Sequence, residues 1–203
     1  AYYTGAIPDL DPPPLAPLPP AFVRDRENAL WYITDARQVA RLALSGTEGH
    51  RARVIPIPSP AQTLARDSAG ELWLATAKEF GTITPAGFVP REQDNGPAMS
   101  GIRRMVAASD GGLWLWNGRQ LWKTLREQPL LSADQFQPAE SNQPLRFFAD
   151  SQGGLWVIEY GAGLWHVSAT GGAVLLTRAA GLPSRFITCW WEDNAGNIWV
   201  GTK

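Results

Sequence analysis

The sequence predicts an all-β fold, a β-propeller of which about four and a half four-stranded blades are visible. Three observations lead there. The 203 residues include 20 Gly, 17 Pro and 10 Trp, a composition of many turns and aromatics with few long apolar runs. One short phrase recurs five times at a nearly constant spacing. Every stretch with a helical pattern is interrupted by Gly or Pro within about ten residues, which excludes a helical solenoid of similar period.

The recurring phrase reads DRENALW (25–31), DSAGELW (67–73), ASDGGLW (108–114), DSQGGLW (150–156) and DNAGNIW (193–199). Its Trp residues are Trp31, Trp73, Trp114, Trp156 and Trp199, separated by 42, 41, 42 and 43 positions. Asp25, Asp67, Asp150 and Asp193 each stand six residues before a Trp; Ala108 takes that place in the third copy. Gly or Asn stands three before the Trp, and Leu or Ile directly before it. A period of about 40 to 45 residues with β patterning is the length of one propeller blade.

Taken in order, residues 1–20 lie outside the repeat, and PPPLAPLPP (12–20) is expected to be an extended polyproline II spacer. AYYTGAI (1–7) is a candidate extra strand. The blades then occupy about 21–58, 59–98, 99–141, 142–180 and, as a half blade, 181–203. Blade 4 shows the scheme: LRFFAD as inner strand A, a Gly-rich turn, LWVIEY as B, LWHVSA as C and AVLLTR as outer strand D. Blade 2 repeats it as QTLARD, ELWLAT, GTITPA and FVPREQ. The fifth copy has only RFITCWW for A and NIWVGT for B.

The phrase has a packing rationale. Strand B is covered on both faces by neighbouring blades, so Leu-Trp followed by apolar residues suits it, and Trp fills a wedge that widens outward. The preceding Asp can accept backbone N–H groups and hold the A–B hairpin.

Other classes find little support. A net charge of −1, from 18 basic and 19 acidic side chains, gives no electrostatic footprint for nucleic acid. Cys189 is the only cysteine, so there is no internal disulfide, and no metal-ligand spacing surrounds it. No apolar run approaches the roughly 20 residues that cross a bilayer, and no membrane contact is expected within the segment. Ala1 opens without Met or a basic, apolar leader, so any leader or anchor is expected outside the sequence. Nucleophile-elbow, zinc-protease, phosphate-loop and dinucleotide motifs are all missing. His50 and His166, the only histidines, read as surface and packing residues. Glu192 and Asp193 are adjacent on an extended strand, point to opposite faces and cannot pair as a catalytic dyad. No cofactor or metal is expected, and no catalytic residue is assigned.

GLPSRFITCWWEDNAGNIWVGT (181–202) resembles the blade signature of the two-component regulator propeller repeat family. The match runs through Gly181, Leu182, Pro183, Ser184, Ile187, Glu192, Asp193, Gly196, Asn197, Ile198, Trp199, Gly201 and Thr202. Blades 1 to 4 match more loosely and lack the GLPS crossover. The resemblance implies a seven-bladed propeller in the extracytoplasmic, periplasmic half of a membrane-anchored receptor. Such a receptor ends in a kinase, a response-regulator hybrid or a diguanylate cyclase, none of which lies in these residues. It therefore implies a non-catalytic sensor segment for a small-molecule or glycan ligand.

Four and a half blades do not close a ring unless something supplies strands C and D of the fifth. Further blades of a longer chain are the favoured source, since seven blades need roughly 300 residues; AYYTGAI as a clasp, or a second copy of the chain pairing through open edges, are the others. Ligands of propellers bind at a channel mouth built by D–A crossovers and B–C loops. Here those loops hold Arg37, Lys78, Glu79, Arg103, Asn117, Arg119, Arg146, Glu159, Tyr160 and Arg185. The Arg residues suit anionic or hydroxyl-rich ligands through their planar fork, and Trp116, Trp190 and Trp191 are free of the repeated position and available to stack on a ring. The site expectation is Arg103, Arg119, Arg146, Arg185, Tyr160 and Trp190. A scaffold propeller binding protein through its rim and edges is the alternative. A propeller lyase or glycosidase would need a cluster of His, Tyr or carboxylates at the mouth, and the sequence shows none.

Overall fold

A computed structural model describes residues 22–35, 37–44, 52–91, 100–124, 131–139 and 145–203. The Pro-rich segment 1–20 and His50 lie outside the described residues. Blade 1 comprises β1 (Val23–Arg24), β2 (Leu30–Asp35), β3 (Gln38–Leu42) and β4 (Ala52–Pro56). Blade 2 comprises β5 (Ala61–Arg66), β6 (Leu72–Thr76), β7 (Phe80–Thr84) and β8 (Gly87–Pro90). Blade 3 is β9 (Arg104–Ala107), β10 (Leu113–Trp116), β11 (Leu121–Thr124) and β12 (Leu131–Ser132). Blade 4 is β13 (Arg146–Ala149), β14 (Leu155–Glu159), β15 (Gly163–Val167) and β16 (Ala173–Leu176). The half blade is β17 (Ile187–Glu192) and β18 (Ile198–Thr202). Each full blade is an antiparallel meander in chain order, and β17–β18 form a two-stranded sheet. The innermost strands β1, β5, β9 and β13 touch one another in sequence. The predicted all-β blade architecture is the observed one.

The Leu-Trp dipeptide sets the packing. Successive strand residues point to opposite faces, so the Leu or Ile faces the preceding blade and the Trp the following one. Trp31 packs with Leu72, Leu74 and Ile83 of blade 2. Trp73 joins Leu113, Leu115 and Met105 of blade 3. Trp114 and Trp116 meet Leu155, Val157 and Trp165 of blade 4, and Trp156 meets Ile187, Trp190 and Val200 of blade 5. Each blade thus has a leading face, toward the preceding blade, and a trailing face that carries the repeated Trp. Every fully buried aliphatic side chain in these seams contributes about 1.5–3 kcal/mol relative to exposure.

The A–B turn is built around the repeated Asp. One carboxylate oxygen accepts the backbone N–H four residues on: Ala29 to Asp25 at 2.8 Å, Glu71 to Asp67 at 2.8 Å, Gly154 to Asp150 at 2.6 Å and Asn197 to Asp193 at 2.8 Å. The other oxygen accepts the indole N–H of Trp31, Trp73 and Trp199 at 2.8, 3.0 and 2.9 Å. The residue three before each Trp adopts a left-handed backbone, from Asn28 at φ 66° to Gly111 at φ 97°, which explains Gly or Asn there. In blade 4, His166 stacks on Trp156 with ring centroids 4.3 Å apart, and its Nε2 lies 3.3 Å from Asp150 Oδ2.

Blade 3, with Ala108, solves the turn differently. The Trp114 indole donates to the carbonyl of Gly153 in the next blade, at 3.2 Å. Lys123, fully buried, donates to that same carbonyl at 2.6 Å and to the Asp110 carboxylate, with its ammonium 5.2 Å from the Trp114 ring centroid.

Candidate functional site

Among the described residues, the meander topology puts the A–B and C–D turns at one end of the blades and the B–C loops and D–A crossovers at the other. Arg103, Arg119, Arg146, Tyr160 and Arg185 therefore share the crossover end, in two groups and one bridge. In blade 3, Arg103 donates its backbone N–H to Trp116 at 2.7 Å. Its guanidinium lies over Gly118, so close that a methyl group there would stand 3.1 Å from it. Arg119 follows Gly118 in that loop, which Asn117 closes by accepting the N–H groups of Arg119 and Gln120, each at 2.9 Å. Arg104, which sequence reasoning passed over, adds a third guanidinium by donating to the Arg103 carbonyl at 2.9 Å. Arg146 at the start of β13 donates to the Thr188 carbonyl of β17 at 3.1 Å, bridging the inner strands of blades 4 and 5.

The second group joins the B–C loop of blade 4 to the crossover into blade 5. Tyr160, 37% exposed, packs against Phe186 with ring centroids 5.3 Å apart. Arg185 stands 5.2 Å from the Phe186 ring centroid, and Lys203 6.0 Å from that of Tyr160. Two backbone bonds hold the loops together: Gly161 N–H to the Arg185 carbonyl at 3.3 Å, and Lys203 N–H to the Phe186 carbonyl at 3.0 Å. The result is an aromatic pair between two cations, open to solvent on the tyrosine side. Phe186 and Lys203 were missed because an apolar residue and a terminal lysine carry no motif. Their place follows from the crossover, which only the fold shows.

Other candidates lie elsewhere. Trp190 stacks on Phe148, centroids 5.3 Å apart, in the seam between blades 4 and 5. Its place on an inner strand, two residues after the bulge between Ile187 and Cys189, turns the ring into the seam, away from the rim. Trp116 is core, 7% exposed. Glu159 is buried and fully used, accepting the Trp165 indole at 2.7 Å and the Ala139 N–H at 2.8 Å. At the turn end, a cleft of about 250 Å³ opens between blades 1 and 2. There Asp25 and Glu27 hold Arg41. Burial would raise the Asp25 pKa, but hydrogen bonds from Trp31, Ala29 and Arg41, with the Arg41 charge, bring it below the ordinary value. Among the described residues no three His, Cys, Asp or Glu side chains converge as for a metal, and no helix is long and apolar enough to cross a membrane.

The fold is that of a β-propeller. No protein-family model matches the chain, and no curated protein matches it in sequence. Among solved structures, a streptogramin B lyase superposes with TM-score 0.64 at 15% identity over 92% of this chain. A catalytically inactive virginiamycin B lyase from Staphylococcus aureus with quinupristin gives 0.63 at 16% over 92%. The extracellular domain of a hybrid two-component system from B. thetaiotaomicron gives 0.57 at 20% over 90%. The chain spans 64% and 65% of the two lyases and 26% of that extracellular domain. At such identities these likenesses establish the fold that the chains share.

Proposed function

We propose that this chain is a ligand-binding propeller segment of an extracytoplasmic sensor, non-catalytic in itself, that takes a small anionic or glycan ligand at its crossover end. One observation carries the reading: the Tyr160–Phe186 pair between Arg185 and Lys203. A sugar or other ring packs against the exposed part of Tyr160, and the flanking cations take carboxylate, sulfate or hydroxyl oxygens. The blade-5 signature that resembles sensor propellers, and the extracellular two-component domains among the structural neighbours, support the same class. The lyase neighbours give weaker support to catalysis. His166 sits on a trailing face beside Asp150, away from the crossover end, and the four residues of the aromatic–cation group include no His and no carboxylate side chain.

The test is a thermal-shift and calorimetric screen of uronate-containing, sulfated and neutral oligosaccharides. Binding of an acidic member, weakened at least tenfold in Tyr160→Ala and in Arg185→Ala with melting behaviour unchanged, is the expected result. Binding that neither substitution alters would move the ligand elsewhere, and turnover of a bound glycan would overturn the non-catalytic assignment.

A further inference from the structure

We infer that the cleft between blades 1 and 2, at the turn end, is a binding site for a small primary aliphatic amine, separate from the site at the crossover end. Both of its walls belong to blades that pack on each other within the chain. Blade 3 shows the chemistry of the equivalent place where the chain fills it itself. Lys123 stands opposite Trp114 across β10 and β11. Its ammonium, fully buried beside the Trp114 ring, donates to the Gly153 carbonyl of blade 4 and to the Asp110 carboxylate. The Trp114 indole donates to the same carbonyl. An alkylammonium is thus enclosed by an indole, a turn carbonyl and a carboxylate.

Blades 1 and 2 carry the same elements in register. Trp31 pairs with Arg41 as Trp114 does with Lys123. Glu27 stands two residues after Asp25, as Asp110 stands two after Ala108. Gly70 has Gly153's place in the A–B turn and the same φ of 80°. The difference is Asp25 where blade 3 has Ala108. Asp25 takes the Trp31 indole at 2.8 Å and, together with Glu27, draws Arg41 back onto blade 1 at 3.0 and 2.5 Å. The Gly70 carbonyl therefore receives neither of the donors equivalent to those on Gly153. The place that Lys123 crosses between blades 3 and 4 is here a cleft of about 250 Å³. Leu72, Ile83 and Pro85 line it and offer apolar contact to a methylene stem. Its charged lining is Asp25, Glu27 and Glu71 against Arg26 and Arg41, one carboxylate in excess. Arg26 lies over Gly70, so close that a methyl group there would stand 2.2 Å from its Nε, and it forms the wall on that side. A monocation with an aliphatic stem balances the charge, covers the apolar wall and supplies the equivalent of the Lys123 donor. An anion adds to the excess charge, and a neutral chain leaves it unbalanced.

The experiment titrates n-butylamine, a lysine side chain without its backbone, into the isotope-labelled 203-residue chain at fixed pH and ionic strength. NMR follows the backbone amides of Gly70 and Glu71 and the indole N–H of Trp31. Saturable shifts centred on this group are expected with the amine, and none with butyrate or butanol. Glu71→Gln is expected to weaken binding at least about threefold, the effect of one solvated charge. The double variant Asp25→Ala/Arg41→Lys rebuilds the arrangement of blade 3. Its introduced lysine is expected to take the place of the amine, so that the shifts are lost. Circular dichroism checks the folding of both, and Glu71→Gln carries the test if the double variant unfolds. The inference is overturned if no saturable shift appears at any amine concentration that leaves the fold intact. Butyrate or butanol that shifts the same signals as strongly overturns it too, as does an affinity unchanged in either folded variant.

Discussion

Blades 1 and 5 carry the same turn in opposite surroundings. Trp31 sits packed in a seam, 1% exposed, with Asp25 partly buried beside it; Asp193 and Trp199 face solvent, Trp199 61% exposed. Yet the indole bond is 2.8 Å in one and 2.9 Å in the other, and the backbone bond closing the turn is 2.8 Å in both. The geometry of the turn is therefore local, made by Asp, a left-handed third residue and Trp. What the neighbouring blade adds is burial. Blade 3 marks the limit of that independence, since with Ala108 the local bond is lost and the next blade supplies the acceptor.

The largest expected effect separates the two ends of this comparison. Trp31→Ala opens a cavity in the blade 1–2 seam and should cost about 3–5 kcal/mol. Trp199→Ala removes an exposed ring and one exposed hydrogen bond, about 1 kcal/mol or less at concentrations where the chain is monomeric. Urea unfolding of both variants measures the difference. Equal costs would mean that Trp199 is covered in solution.

Blade 3 gives the next effect. Asp110→Ala leaves the fully buried Lys123 ammonium with the Gly153 carbonyl and the Trp114 ring but no counter-charge. Breaking a buried pair from one side costs about 3–5 kcal/mol; because the Asp110 side chain is 38% exposed, the lower end of that range applies. Lys123→Met keeps the stem and removes the charge, so it should cost less than Asp110→Ala. The reverse order, in the same unfolding assay, would show that the ammonium itself holds blades 3 and 4 together.

These contrasts also mark what the sequence made legible. The period, the blade count and the role of Leu-Trp could be read because they recur, and recurrence separates a packing rule from chance. The alternation of strand residues even contained the two faces, leading for Leu30 and trailing for Trp31. Asp25 and its equivalents were legible as turn closers, but the indole bond was not, since two residues six apart meet only once the hairpin forms. Lys123 was invisible for a related reason: its acceptor, the Gly153 carbonyl, comes from another blade. At the site, Tyr160 and Arg185 were legible as loop residues of suitable chemistry. Trp190 was placed with them because an unrepeated Trp near a crossover resembles a ligand contact, whereas the strand directs it into a seam. Pairing Tyr160 with Phe186 and Lys203 needed the crossover's path.

The smallest effect tests whether the turn is as local as its geometry says. Hydrogen bonds from the Trp199 indole, the Asn197 amide and backbone N–H groups pull the Asp193 pKa down to about 2, from an ordinary 3.8. A carboxylate held more acidic in the folded chain than in the unfolded one stabilises the fold while it is ionised. That stabilisation is fully present above about pH 4 and declines as pH falls from 3.8 through 2. Asp193→Asn keeps the shape and removes the proton-linked part. Its melting temperature should approach that of wild type between pH 4 and pH 2, and a chemical-shift titration of Asp193 should show its midpoint near 2. A midpoint near 3.8 would mean that the exposed turn does not hold its bonds in water, and that blade 1 keeps the same geometry only because it is buried.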